Sequence, residues 1–232
     1  MISMWDLLFP RRCPICDRAM YKERYICFRC EEEQQFLDGN TCFKCGKRLH
    51  DDEDIYCYDC RRHRHMYDRG FAVFEYEYIC RSLYRFKYSH RAEYAAYYGE
   101  VTAKRLGKAL KVHNIEAFVP VPIHRDRYIK RGYNQAEEYA MELSARTGIP
   151  VVNDLIIREK KTKAQKKLNP SEREKNLKKA FKLNSDGVKL QRVCIVDDIY
   201  TTGSTIDAMA VLLKKAGVRE VYFATIAIGK GL

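Results

Sequence analysis

Val193-Cys194-Ile195-Val196-Asp197-Asp198-Ile199-Tyr200-Thr201-Thr202-Gly203-Ser204-Thr205 decides how this chain folds. Its first four residues are an apolar run of the kind a buried parallel strand carries. Two adjacent carboxylates, Asp197 and Asp198, follow at the strand's C-terminal end. A small hydroxyl-rich turn, Thr201 to Thr205, comes next, and a helical pattern runs from Ile206 to about Lys215. Backbone N–H groups and hydroxyls at a helix N-terminus, with the dipole's partial positive charge behind them, accept an anion of phosphate size. Gly203 permits positive φ or a close backbone approach. Two carboxylates repel phosphate but suit neighbouring sugar hydroxyls or a nearby Mg²⁺. Separately, Asp-Asp reads as a strand-to-loop step and the Thr/Ser run as a capped helix start. In this order and spacing they read as a site for a phosphorylated sugar. The Gly-x-x-x-x-Gly-Lys-Ser/Thr frame of a P-loop is missing here.

At 232 residues the chain has room for one ordinary domain and a small module. An apolar share of 46% is that of a globular protein. No apolar run reaches about 18 residues, so no transmembrane helix and no membrane insertion are expected. Met1 to Pro10 is too short for a signal peptide and carries Asp6 ahead of its apolar part. A cytoplasmic location is therefore expected. The net charge of +12 points to a polyanionic partner or substrate. Much of the excess sits between Arg158 and Lys182, with eleven Lys/Arg against three Glu.

Eight of the ten cysteines form four Cys-x-x-Cys pairs: Cys13/Cys16, Cys27/Cys30, Cys42/Cys45 and Cys57/Cys60. Such a pair places two thiolates at adjacent corners of a Zn²⁺ tetrahedron. Four pairs supply two Cys₄ sites, and one or two structural zinc ions are expected. Sequential pairing is favoured because each half repeats one ribbon length, with cross-brace pairing as the alternative. A disulfide framework or a redox pair fits four such repeats poorly. A segment of roughly 50 residues buries too little apolar area to fold alone, so metal binding supplies its folding energy. Residues 1–62 are read as this module and residues 63–232 as the main domain. Cys194 is read as a small buried residue of the strand.

Along the main domain, Phe71 to Tyr78 alternates like a strand. Ile79 to Tyr88 suits a short helix with Ile79, Leu83 and Phe86 inward. Residues 91–111 read as a longer helix, Glu116 to Pro122 as a strand, and Gln135 to Thr147 as a helix stopped at Gly148. Leu155 to Ile157 read as a short strand. Gln191 to Val196, the 206–215 helix and Glu220 to Ile228 make a strand–helix–strand unit. The alternation implies an α/β fold with a central parallel sheet. Two basic segments fit the sugar-phosphate reading. Residues 119–135 leave a strand carrying Arg125, Arg127, Lys130 and Arg131, whose guanidinium groups can clamp a pyrophosphate. Residues 158–181 read as a long cationic excursion able to close over a leaving group, with Arg173 a candidate. Each also reads as a solvated basic loop.

Residues 193–205 resemble the 5-phosphoribosyl-1-pyrophosphate (PRPP) motif of type I phosphoribosyltransferases. That resemblance implies that Asp197 and Asp198 hold the ribose hydroxyls, that Thr201, Thr202, Gly203, Ser204 and Thr205 cradle the 5-phosphate, and that Mg²⁺ enters with PRPP. Four Cys-x-x-Cys pairs, Val119-Pro-Val-Pro122, Arg131-Gly-Tyr-Asn-Gln135, Thr162-x-x-Gln165-x-x-Leu168, Arg173-x-x-Asn176, Ala180-Phe181 and the 197–205 stretch together resemble the ComF family over nearly the full chain. The family implies a link to DNA uptake and a double zinc ribbon before a type I phosphoribosyltransferase domain. Three readings follow: a phosphoribosyltransferase of unknown acceptor, a single-stranded-DNA-binding protein, or an adaptor docking on a DNA translocation ATPase. For the second, Arg81, Tyr84, Arg85, Phe86, Lys87 and Tyr88 interleave charge with aromatic rings, although core packing accounts equally for the rings.

Overall fold

The computed structural model describes residues 10–20, 24–51, 53–159, 180–184 and 189–229. Four strands make its main sheet: β1 (Arg69–Glu75), β2 (Ala117–Pro120), β5 (Arg192–Tyr200) and β6 (Glu220–Ile228). Their order is β1-β6-β5-β2 and every pairing is parallel. A separate antiparallel pair joins β3 (Ile156–Arg158) and β4 (Phe181–Leu183). The strand expected at Leu155–Ile157 thus exists one residue later and lies outside the parallel sheet. Helices α1 (Phe28–Glu32) and α2 (Tyr58–Arg62) belong to the cysteine-rich part. The others are α3 (Tyr76–Tyr88), α4 (Tyr94–Val112), α5 (Arg125–Arg131), α6 (Gln135–Thr147) and α7 (Ser204–Lys215).

Strand alternation divides the interior in two. Val73, Phe118, Cys194, Val196, Tyr222 and Ala224 pack on one side with α3, α4 and α6. Ala72, Val119, Val193, Ile195, Val221 and Phe223 pack on the other with α7. The continuous apolar runs of β5 and β6 follow from this, because a parallel strand in mid-sheet is covered twice. Two expected boundaries move. The alternation of residues 71–78 stops being a strand at Glu75, and Tyr76 opens α3, whose buried stripe is Ile79, Ser82, Leu83 and Phe86. More consequentially, β5 does not end at Val196. Its pairing with β6 continues through Asp197↔Thr225, Ile199↔Ala227 and Tyr200↔Ile228, so both carboxylates stand inside the strand.

The cysteine-rich part closes one edge of the sheet. β1 is an edge strand, and unpaired edges invite foreign strands. Here the Leu37 N–H donates to the Val73 carbonyl and the Gly70 N–H donates to the Lys44 carbonyl. Cys13, Ile26 and Cys30 join the core on one face, while Cys42, Cys45 and Leu49 join the core on the other. The module therefore straddles β1. At this crossing the packing leaves no room: a Cβ on Gly70 would lie 2.0 Å from Phe223 Cζ, and Phe223 is fully buried. Gly70→Ala is expected to cost about 1–3 kcal/mol, as overpacked cores do. Urea denaturation checks this; an unchanged midpoint would mean that the ring has somewhere to go.

Candidate functional site

The eight cysteines fall into two groups, Cys13/Cys16/Cys27/Cys30 and Cys42/Cys45/Cys57/Cys60, with the sulfurs of each within 4.8 Å of one another. This is the sequential pairing. Cys16 and Cys27 sulfurs lie 3.7 Å apart and those of Cys45 and Cys57 3.6 Å apart, close to the edge of about 3.8 Å that Zn–S bonds of about 2.3 Å give a tetrahedron. Four converging soft donors and no competing carboxylate suit zinc. Hydrogen bonds within the second group hold the Cys42 thiol low, through Cys45 first, and the Cys45 and Cys60 thiols correspondingly high, through Cys42 first.

The strand-end loops come together where α/β sheets bind ligands. β2 and β5 are neighbours. The helices after β2 lead to the face that α6 covers, whereas the helix after β5 packs on the opposite face. A crevice opens where successive crossovers diverge. On its β5 side, Asp197, Ile199, Tyr200 and residues 201–206 line a cavity of about 230 Å³. Gly203 takes φ +81° and opens α7. A Cβ there would meet Tyr200 Oη at 2.6 Å, so both conformation and space call for glycine. Thr202 Oγ1 and Ser204 Oγ lie 2.9 Å apart. Thr201 and Thr202 are exposed.

The two carboxylates keep different partners although they remain within reach of each other. Asp197 borders the cavity. Burial pushes its carboxyl well above the usual carboxylate range, Asp198 adds to the shift, and Lys87 pulls the other way. Asp198 is only 2% exposed and does not line the cavity. It accepts a hydrogen bond from Gln135 Nε2 at 3.1 Å and pairs with the Lys87 ammonium. Burial works against the charge on Lys87, but Asp198 more than offsets it, and the ammonium titrates above its ordinary value.

The Arg131-Gly-Tyr-Asn-Gln135 stretch builds this arrangement. Gly132 takes φ +86° and ends α5. Tyr133 donates its hydroxyl to the Phe86 carbonyl. Asn134 caps α6 through the Ala136 N–H at 3.2 Å and donates to the Val121 carbonyl at 3.1 Å, so the first turn of α6 is fixed to the end of β2. Gln135, held by Arg131, then reaches Asp198.

The basic segment after β2 is helical at α5 rather than a loop. Arg125 and Arg127 are exposed on it, but Arg131 is buried, with its guanidinium on Gln135 and over the Tyr88 ring. Arg173, Thr162, Gln165, Leu168 and Asn176 lie outside the described residues. Of the basic excursion, Arg158 is described, and it feels both Arg127 and Asp197. Sequence reasoning missed Lys87 and Gln135 as site residues. A signal for Lys87 existed: it falls four residues after Leu83, on the flank of the buried stripe of α3, where a cation needs a partner. The interleaved segment also separates into parts. Phe86 is core, and Arg85 donates to the Ile15 carbonyl at 2.7 Å beside the first cysteine group. Only Tyr84 and Tyr88 turn their rings outward.

The loop is braced from behind by the second cysteine group. Tyr200 and Tyr67 hydroxyls are 2.7 Å apart, and Tyr200 stacks on Phe223 at 4.7 Å. Asp207 in α7 accepts from the Met66 N–H at 2.7 Å and lies 2.7 Å from His65 Nδ1.

Residues 4–61 match the double zinc ribbon domain family, and residues 130–231 match the phosphoribosyl transferase domain family. Competence protein F of Haemophilus influenzae is 30% identical over 92% of this chain and 95% of that protein. The DNA utilization protein YhgH of Salmonella typhi is 27% identical over 95% of this chain and 89% of that protein. Competence protein ComFC of Streptococcus pneumoniae is 27% identical over 84% of each. Among solved structures, a purine phosphoribosyltransferase from Pyrococcus horikoshii aligns at TM-score 0.36 and 22% identity, over 57% of this chain and 73% of that one.

Asp197 yields a test of this electrostatic arrangement. The folded protein holds the proton of Asp197 to higher pH than the unfolded chain does. Stability therefore falls as pH rises from the ordinary carboxylate value towards the folded one. Asp197→Asn removes that fall. The ligand-free variant is expected to be more stable than wild type at neutral pH and no more stable in acid, read from urea midpoints. Parallel curves for the two proteins would contradict it.

Proposed function

The chain belongs to the ComF family, and on that premise we propose that it binds Mg²⁺–PRPP and transfers the phosphoribosyl group to an acceptor in the handling of DNA taken up by the cell. The observation that carries this reading is the 230 Å³ cavity at the N-terminus of α7, with Asp197 on its wall, in the crevice between β2 and β5. The 5-phosphate would sit against residues 201–205, where N–H groups and hydroxyls converge. Asp197 would take a ribose hydroxyl. Mg²⁺ arriving with the pyrophosphate supplies charge neutralisation, and a cation there would bring the Asp197 carboxyl back to its ionised form. Arg158 lies within electrostatic reach of Asp197, and Arg125, Arg127 and Arg173 are the further candidates for holding the leaving group.

In the transfer, the acceptor's nucleophile bonds to ribose C1 as the C1–O bond breaks, and pyrophosphate departs with the electron pair. Positioning and charge stabilisation do most of such work. The Lys87–Asp198 pair fits this chemistry in one specific way. Pyrophosphate competes with Asp198 for the Lys87 ammonium. Drawing the lysine outward would free the second carboxylate for the second ribose hydroxyl. The relatives' names, competence and DNA utilization, support the cellular setting. Single-stranded DNA and a translocation ATPase remain the partners to screen. Among the described residues no helix is long and apolar enough to cross a membrane.

Calorimetric titration of the zinc-loaded protein with Mg²⁺–PRPP tests the reading. Saturable heat in wild type, absent in Asp197→Asn, is expected. Asp198 is best probed as Asp198→Asn with Lys87→Met, since removing the carboxylate alone strands a buried charge at about 3–5 kcal/mol. No heat with folded wild type would sink the enzyme reading.

A further inference from the structure

A second cavity is lined by Lys87, the partner of Asp198. Tyr84, Lys87, Tyr88, His90, Arg127, Lys130 and Arg131 enclose a groove of about 680 Å³ between α3 and α5, within the size range of small-molecule sites. Its lining holds four permanent cations and no carboxylate. Lys87 is answered from behind by Asp198, and Arg131 is turned onto Gln135. Asp126, next to Arg127 on α5, lies near His124, and neither Arg127 nor Lys130 is among the ion pairs of the described residues. The residues that line the groove therefore carry positive charge that none of them neutralises.

The other wall is aromatic. Tyr84 and Tyr88 are one helical turn apart on α3, with ring centroids 5.0 Å apart and planes tilted 47° to each other, so that each offers its own face. They are 64% and 60% exposed, whereas Phe86 between them is wholly buried. Two large rings left in water beside four cations suit a ligand that is flat, aromatic and anionic at once. The Arg131 guanidinium stands 5.5 Å from the Tyr88 ring centroid, a cation–π contact that helps to hold this ring.

We propose that this groove binds a nucleotide unit, its base stacked on the ring of Tyr84 or Tyr88 and its phosphate held by Arg127 and Lys130. A purely anionic ligand would leave the rings unused, and a purely apolar one would strand the cations. Bases stack on aromatic side chains without regard to sequence, and phosphate contacts add the salt-dependent part. The same chemistry is offered by a free nucleotide and by one residue of a single strand. The groove touches the candidate sugar site through Lys87 and Arg131, but the binding stands without PRPP.

The test titrates full-length, zinc-loaded protein, with neither PRPP nor Mg²⁺ present, against two probes. One is 2-aminopurine deoxyriboside 5′-monophosphate, and the other is a short single strand carrying one internal 2-aminopurine. Stacking quenches the fluorescence. Saturable quenching is expected with at least one probe; the mononucleotide alone identifies a free nucleotide as occupant, and the strand alone identifies nucleic acid. Tyr84→Leu with Tyr88→Leu should weaken it by at least about fivefold, while the corresponding Phe pair retains it. Arg127→Gln with Lys130→Gln should flatten its salt dependence. Quenching that survives the Leu pair, or quenching by neither probe, overturns the proposal. The PRPP titration is unaffected by either result, so the two readings fail separately.

Discussion

Two main-chain hydrogen bonds close the open edge of β1: the Leu37 N–H on the Val73 carbonyl, and the Gly70 N–H on the Lys44 carbonyl. Much of the architecture depends on them. A parallel sheet needs both faces covered and its edges answered. The zinc ribbons do both, placing one cysteine group in each core on either side of β1. The metal clusters thus belong to the sheet's own packing and do not hang from it as an appendage. Because thiolate tetrahedra set the shape of those ribbons, the geometry of the edge is in effect a property of the metal.

From that edge the influence reaches the ligand crevice in short steps. Tyr67 sits where the second ribbon meets β1, and its hydroxyl meets that of Tyr200 at the end of β5. Tyr200 in turn crowds Gly203. Asp207 fastens the first turn of α7 to His65 and Met66. On the other side of the strand, Arg85 ties α3 to the first cysteine group, and two residues later Lys87 holds Asp198. Each ribbon therefore supports one side of the paired carboxylates.

Much of this was legible in the sequence. The four Cys-x-x-Cys pairs carry their own geometry, and the grouping they imply is the one observed. The apolar run of β5, the 135–147 helix and the 220–228 strand are local signals strong enough to survive packing. What escaped was set by contacts distant in sequence. Asp197 and Asp198 read as a matched pair beyond a strand. The continued ladder with β6 places them inside it, where Asp198 is buried against Lys87 and Gln135 while Asp197 borders the cavity. Nothing local says that Arg131 turns inward to Gln135 while Arg127 stays out, since that depends on α3 lying across α5. Likewise, the spacing of Ile79, Leu83 and Phe86 identifies the buried face of α3 but not what its open face meets.

The Tyr200 ring is shared by several demands at once. It stacks on Phe223, bonds Tyr67, lies under the Lys47 ammonium at 5.8 Å, and leaves Gly203 no side chain. Phe223 also fills the space that Gly70 leaves empty. Positions 67, 70, 200, 203 and 223, scattered over more than half the chain, thus form one steric unit. Drift at any one of them is constrained by the other four. Among distant members of the family this quintet should change together or not at all, even where the surrounding surface has been rewritten.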